Sequence, residues 1–104
     1  MPESVVVTVI WKADPDLTDT CIETLRNMFQ VTRQRKGFRS IRLLKSAHDP
    51  NELVLIQEWD SVQDHLDYMQ FRTETGEIEK LMAMTVSPMQ LNYWTNSALA
   101  AAEA

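Results

Sequence analysis

Three side chains close together in the chain have the types that chemistry on an aromatic ring uses: Trp59, His65 and Tyr68. An indole can stack on a flat substrate and donate one hydrogen bond, and it serves equally well as a buried plug. A histidine with a pKa near working pH can take the proton of a phenol that it reaches. On the apolar stripe of a helix, however, a satisfied core or interface histidine is the commoner role. A tyrosine hydroxyl can hold a hydroxyl or carbonyl of a ligand, and it can also sit at an interface. Trp11, Phe71, Tyr93 and Trp94 read as core or dimer contacts before a cofactor box. Met82, Met84 and Met89 offer a soft lining that suits a pocket wall or loose packing. Cys21, on a helical stripe, reads as an inert core residue.

The elements that must position these groups are legible from residue patterns. Residues 53–71, LVLIQEWDSVQDHLDYMQF, read as a buried strand running into a helix, with Trp59 at the junction. Ser61 is a helix start, and Asp64 follows at the capping-box spacing. Val62, His65, Leu66 and Met69 share one helical face. Upstream, Ser4–Lys12 is a strand with Val5, Val7, Val9 and Trp11 on one side. Val6, Thr8 and Ile10 lie on the other, so both faces are apolar and the strand is central. Asp14-Pro15-Asp16 starts a helix reaching about Gln34, with Leu17, Cys21, Leu25, Met28 and Thr32 as its stripe. Arg33, Arg35 and Lys36 suit a helix C-terminus, and Gly37 stops it.

Phe38–Ala47 is a second strand, and its Arg39, Arg42 and Lys45 mark it as an edge. His48-Asp49-Pro50-Asn51 turns it into the third strand, with a contact expected between Arg42 and Glu58. The second helix should break or bend within 72–77. A short helix follows around Ile78, Leu81 and Met82, then a fourth strand over Met89–Thr95. The domain is expected over residues 1–95. The alanine-rich tail, 96–104, can extend as a helix but has little to bury, so it is expected frayed or docked on a partner.

The order βαββαβ is the ferredoxin-like α+β pattern: a four-stranded antiparallel sheet with helices on one face. Its open face is too apolar for water, so a second copy packed sheet to sheet is expected. At 104 residues the chain is one domain. A net charge of −5 argues against nucleic acid and anionic membranes. One cysteine and no long apolar run point to a cytoplasmic chain. Two glycines exclude a glycine-rich phosphate loop, and one Cys with two His is too few for a structural zinc site.

The first strand VVVTVIW, the KGF at 36–38, the hairpin and the EWDS run at 58–61 together resemble the antibiotic biosynthesis monooxygenase-like family of dimeric α+β barrels. The resemblance spans about residues 4–95. It implies a homodimer and a cofactor-independent monooxygenase that acts on an electron-rich phenol or quinol. Catalytic roles would fall on His65 and Tyr68, and substrate contacts on Trp59, Phe71, Arg72 and Tyr93, with Asn92 nearby. Many members carry histidine where this chain has Tyr68, and often another where it has Thr73. Heme-degrading members carry an asparagine on strand one and a histidine after the second helix; this chain has neither. A dimeric binding module without catalysis is the alternative reading.

Overall fold

A computed structural model describes residues 3–104, so positions 1 and 2 of the expected domain lie outside the described residues. The elements are β1 (Val5–Lys12), α1 (Thr18–Thr32), β2 (Phe38–Lys45), β3 (Glu52–Trp59), α2 (Val62–Glu74), α3 (Glu77–Met82) and β4 (Gln90–Thr95). The strands form one antiparallel sheet in the order β2-β3-β1-β4. β1 is central, as its two apolar faces require, and the charged β2 is an edge. Val5, Val7, Val9 and Trp11 pack under the helices beside Trp59, Gln57, Leu55 and Leu53 of β3. The opposite sheet face carries Val6, Ile10, Leu44, Val54, Ile56 and Trp94, and among the described residues no element covers it. There Trp94 is 55% exposed, its indole N–H held by the Thr8 hydroxyl at 2.9 Å.

Several details depart from expectation. A register shift between Phe38 and Ser40 puts Ser40 opposite Glu58 and Arg42 opposite Ile56. Among the described residues no Arg42–Glu58 ion pair forms. Arg39 pairs with Asp60 at 2.7 Å instead, and Glu58 accepts from the Asn96 amide at 3.1 Å. α1 starts at Thr18 rather than at Asp14. The Asp14 carboxylate accepts from the Asp16 N–H at 2.9 Å and its carbonyl from Leu17 at 2.8 Å, so the Asp-Pro-Asp run forms a turn that leads into the helix. The tail from Asn96 onward, for which a helix was one option, forms none.

α2 begins as its cap residues require, the Ser61 hydroxyl accepting from the Asp64 N–H at 3.1 Å. It runs on to Glu74, and the chain breaks at Gly76, where φ is +85°. Its buried face is a surprise. His65, Tyr68 and Arg72 point inward, whereas Val62 and Leu66 are 37% and 46% exposed. Both sets have helical spacing. The polar set turns inward because each of its heads finds a partner on another element: Tyr93, Thr32 and Glu77. Gly37 sets the approach of α2 to α1. Its φ of +82° is left-handed, a Cβ there would overlap the Asp64 carboxylate, and its carbonyl accepts from the Asp60 N–H at 2.8 Å.

α3 and the segment behind it are pinned at both ends. Arg72 holds Glu77 at the start of α3. Met84 O accepts from Asp14, the Val86 N–H donates to Lys12 O, and Ala13 bridges Thr85. Residues 77–89 therefore form a strap across the helix-covered side of the sheet. Among the described residues, no helix is long and apolar enough to cross a membrane.

Candidate functional site

Beneath the strap lies a cavity of about 700 Å³, between the inner face of the sheet and the three helices. Its walls are Val9 and Trp11 of β1, Leu25, Met28 and Phe29 of α1, Leu55 and Gln57 of β3, and Tyr68 and Met69 of α2, closed by residues of α3, the strap and β4. Met82 and Val86, both more than half exposed, belong to the wall and mark its outer side. Nearly all of the lining is apolar. The polar side chains on its inner walls are Gln57 and Tyr68, and among the described residues no carboxylate, histidine or amine faces it. This is the usual make-up of a small-molecule site, an apolar volume with a few fixed polar groups.

Tyr68 alone of the six expected site residues reaches the cavity. Its hydroxyl lies 2.8 Å from the Thr32 hydroxyl and accepts from Arg72 Nε at 3.0 Å. The proton assignment follows from counting donors. Arg72 can only donate, and the Thr32 proton goes to Met28 O at 3.1 Å, so the Tyr68 proton goes to the Thr32 oxygen. The Tyr68 oxygen keeps one lone pair for a ligand.

Arg72 is buried behind Tyr68 and fully engaged. It pairs with Glu77 at 2.6 Å and donates to Met28 O at 2.9 Å and to Thr32 Oγ1 at 3.3 Å. The Thr75 hydroxyl and the Arg72 guanidinium hold the Glu77 carboxyl below its ordinary pKa. Phe71 borders this cluster, its ring centroid 5.3 Å from the Arg72 guanidinium and 4.1 Å from that of Arg35. Asn92 faces the opposite side of the sheet, paired with Thr8.

Trp59, His65 and Tyr93 form an aromatic layer next to Tyr68. The Trp59 ring is fully buried, tilted against Tyr68 at 5.1 Å and edge-on to Phe38 and His65. Its indole N–H donates to Gln57 Oε1 at 3.0 Å. His65 is fully buried, with Nδ1 2.8 Å from the Tyr93 hydroxyl and Nε2 without a partner. Burial drives the His65 pKa down from 6.5 to about 4, so the ring is neutral at pH 7. Burial raises the Tyr93 phenol.

Two functional candidates were missed by sequence reasoning. Gln57 is the one polar residue among the inward positions of β3, between Leu55 and Trp59, and that interruption was its signal. Thr32 lay at the end of an apolar stripe, and only its tertiary partners distinguish it. Among the described residues, no group of three or more His, Cys, Asp or Glu is placed to hold a metal ion.

Comparison with known proteins bears directly on this architecture. The model of the antibiotic biosynthesis monooxygenase family matches residues 4–73, about two thirds of the chain. The chain belongs to this family. The family segment supplies the inner walls of the cavity, from β1 to α2, while α3, the strap and β4 lie beyond the match. No curated protein sequence matches significantly. Solved structures share the fold over nearly the whole chain. A conserved protein from Methanosarcina mazei superposes with a TM-score of 0.83 at 10% identity, covering 91% of this chain and 94% of that one. A protein from Mycobacterium tuberculosis is 26% identical, with a TM-score of 0.69 and coverage of 94% and 99%. SnoaB, a cofactor-independent oxygenase from Streptomyces nogalater, gives a TM-score of 0.79 at 13% identity, covering 93% and 97%.

Proposed function

We propose that the chain is a monooxygenase that oxidises an electron-rich phenol or quinol in the cavity beneath the strap, without a cofactor. The observation that carries this reading is the cavity itself, about 700 Å³ of apolar lining with Tyr68 on its inner wall, in a family of monooxygenases. The volume suits a flat, multi-ring molecule. The Tyr68 oxygen accepts a hydrogen bond from the substrate hydroxyl and so fixes the ring. Trp59, His65 and Tyr93 support Tyr68 from behind. The substrate proton leaves to solvent, and the resulting anion gives one electron to O₂. Recombination of the radical with superoxide, followed by loss of water, leaves one oxygen atom in the product. The apolar walls solvate the anion poorly and so favour electron transfer from it.

Oxygen uptake with a panel of hydroquinones tests this. The native chain is expected to consume O₂ with at least one of them, and Tyr68→Phe to lose about fivefold in kcat/KM, the worth of one hydrogen bond of roughly 1 kcal/mol. A second reading, a small-molecule-binding module without catalysis, is favoured by one observation: among the described residues no acid–base group other than Tyr68 faces the cavity. Binding of the same compounds without O₂ uptake would establish it.

A second copy of the chain covers the open sheet face in this proposal. Trp94, Leu44 and Ile10 are each more than a third exposed there, on a face that alternation makes apolar. Light scattering at micromolar concentration is expected to give twice the 12.0 kDa chain mass, and a clean monomer would refute this part.

A further inference from the structure

The unassigned polar group in this cavity is Gln57, which is only 3% exposed and lies on its inner wall. Its orientation is decided by chemistry. The indole of Trp59 can only donate, so the amide atom 3.0 Å from Trp59 Nε1 must be the oxygen. The amide nitrogen is thereby turned the other way. It has no partner among the described residues, and it is not one of the three sealed, unpartnered side-chain atoms (Trp11 Nε1, His65 Nε2 and Glu77 Oε2). It therefore opens onto the cavity with its donors free. A buried amide with unused donors is costly unless something supplies an acceptor.

We infer that Gln57 is the specificity-determining residue of the cavity, and that its amide donates to a carbonyl or phenolate oxygen of the bound aromatic molecule. Trp59 is the positioning residue that fixes which end of the amide faces the ligand. The inference rests on the cavity being a small-molecule site. Gln57 and Tyr68 then offer opposite halves of a code, donors on β3 and a lone pair on α2. A flat ligand that carries both a carbonyl and a hydroxyl satisfies both. A bare hydrocarbon of the same shape leaves the Gln57 donors unpaired.

Fluorenone and fluorene test this, because they share one tricyclic frame and differ in a C=O against a CH₂. Neither requires turnover. Affinities are read from quenching of tryptophan fluorescence. The ratio of fluorenone to fluorene affinity is expected to fall about tenfold from native to Gln57→Leu, the worth of one neutral hydrogen bond. Fluorene affinity itself should hold or rise, since leucine removes the donors that fluorene leaves unpaired. Gln57→Met, unbranched like glutamine, is read in the same way and guards against a packing defect in the leucine variant. Trp59→Phe should lower the ratio as well, by freeing the amide to rotate. Adding Trp59→Phe to Gln57→Leu should lower it no further, since the two act through one group. An unchanged ratio in folded Gln57→Leu and Gln57→Met overturns the assignment and leaves the cavity standing. No binding of either probe to the native chain overturns both. A ratio that responds to Gln57, in a protein that consumes no O₂ with any quinol, supports the assignment and refutes the oxygenase reading.

Discussion

Replacing Arg72 by leucine is expected to lower the unfolding free energy by about 3 kcal/mol, the largest loss anticipated for any single side chain here. Leucine keeps much of the buried stem but deletes every donor of a group that is 3% exposed. Four acceptors lose a partner together: Tyr68 Oη, Glu77 Oε1, Met28 O and Thr32 Oγ1. The Glu77 side chain is about one quarter exposed and can turn toward water, which keeps the loss at the lower end of the range for a broken buried pair. Glu77→Gln is the informative contrast. The amide oxygen can still accept from Arg72, so that variant should cost about 1 kcal/mol. Urea unfolding of both variants measures the difference. A loss below about 1 kcal/mol in Arg72→Leu would show that the guanidinium is held no better than it would be in water. The consequence reaches the cavity, because Arg72 joins α1, α2 and the start of α3, and α3 is its outer wall. Ligand affinity should therefore weaken in Arg72→Leu even at temperatures where the chain stays folded.

The same residue shows where sequence reasoning stopped. Element order was legible because it depends on local patterns: branched residues in β1, the Ser61 cap before α2, Gly37 and Gly76 after helices. The edge position of β2 followed from its charges, and the central position of β1 from its two apolar faces. Which face of α2 turns inward was not legible. The expected face of Val62, His65, Leu66 and Met69 is more apolar than one of His65, Tyr68 and Arg72, and hydrophobicity alone prefers the first; His65 belongs to both, Met69 still reaches the cavity wall, and it is Val62 and Leu66 that turn out. The second wins because Thr32, Tyr93 and Glu77 stand ready with partners, and those lie 28 or more residues away in all but one case. The cavity is harder still. It is bounded by segments as distant as Val9 and Leu91, and a gap between elements leaves no mark in the residues of any one of them. Tyr68 was found because its type suggests chemistry. Gln57 was passed over because a single glutamine in a strand suggests none until its indole partner is seen. Trp59, singled out for stacking, is enclosed by Phe38, His65 and Tyr68, and its indole N–H serves Gln57.

His65 leads to the second large effect, and it is one of pH. In the unfolded chain its imidazole titrates near the ordinary value of 6.5, whereas in the folded chain burial lowers this to about 4. Between those two values the unfolded state holds a proton that the folded state refuses. Protons therefore favour unfolding there, and stability is lost as pH falls from about 6.5 toward 4. Above pH 6.5 the ring is neutral in both states and adds no pH dependence. Below pH 4 both states are protonated and the penalty is complete. At about 1.36 kcal/mol per unit of pKa difference, the loss is on the order of 3 kcal/mol. The same acidification also titrates carboxylates, so the native chain must be compared with a chain that lacks only this group. His65→Gln keeps a hydrogen-bonding side chain opposite the Tyr93 hydroxyl and does not titrate. Unfolding free energies of both chains, taken from pH 7 to pH 4, should diverge, the native falling more steeply by about 3 kcal/mol in total. Parallel curves would mean that a proton reaches His65 without unfolding the chain. The unpartnered Nε2 would then have access to water, and the ring would be available to act as a base after all.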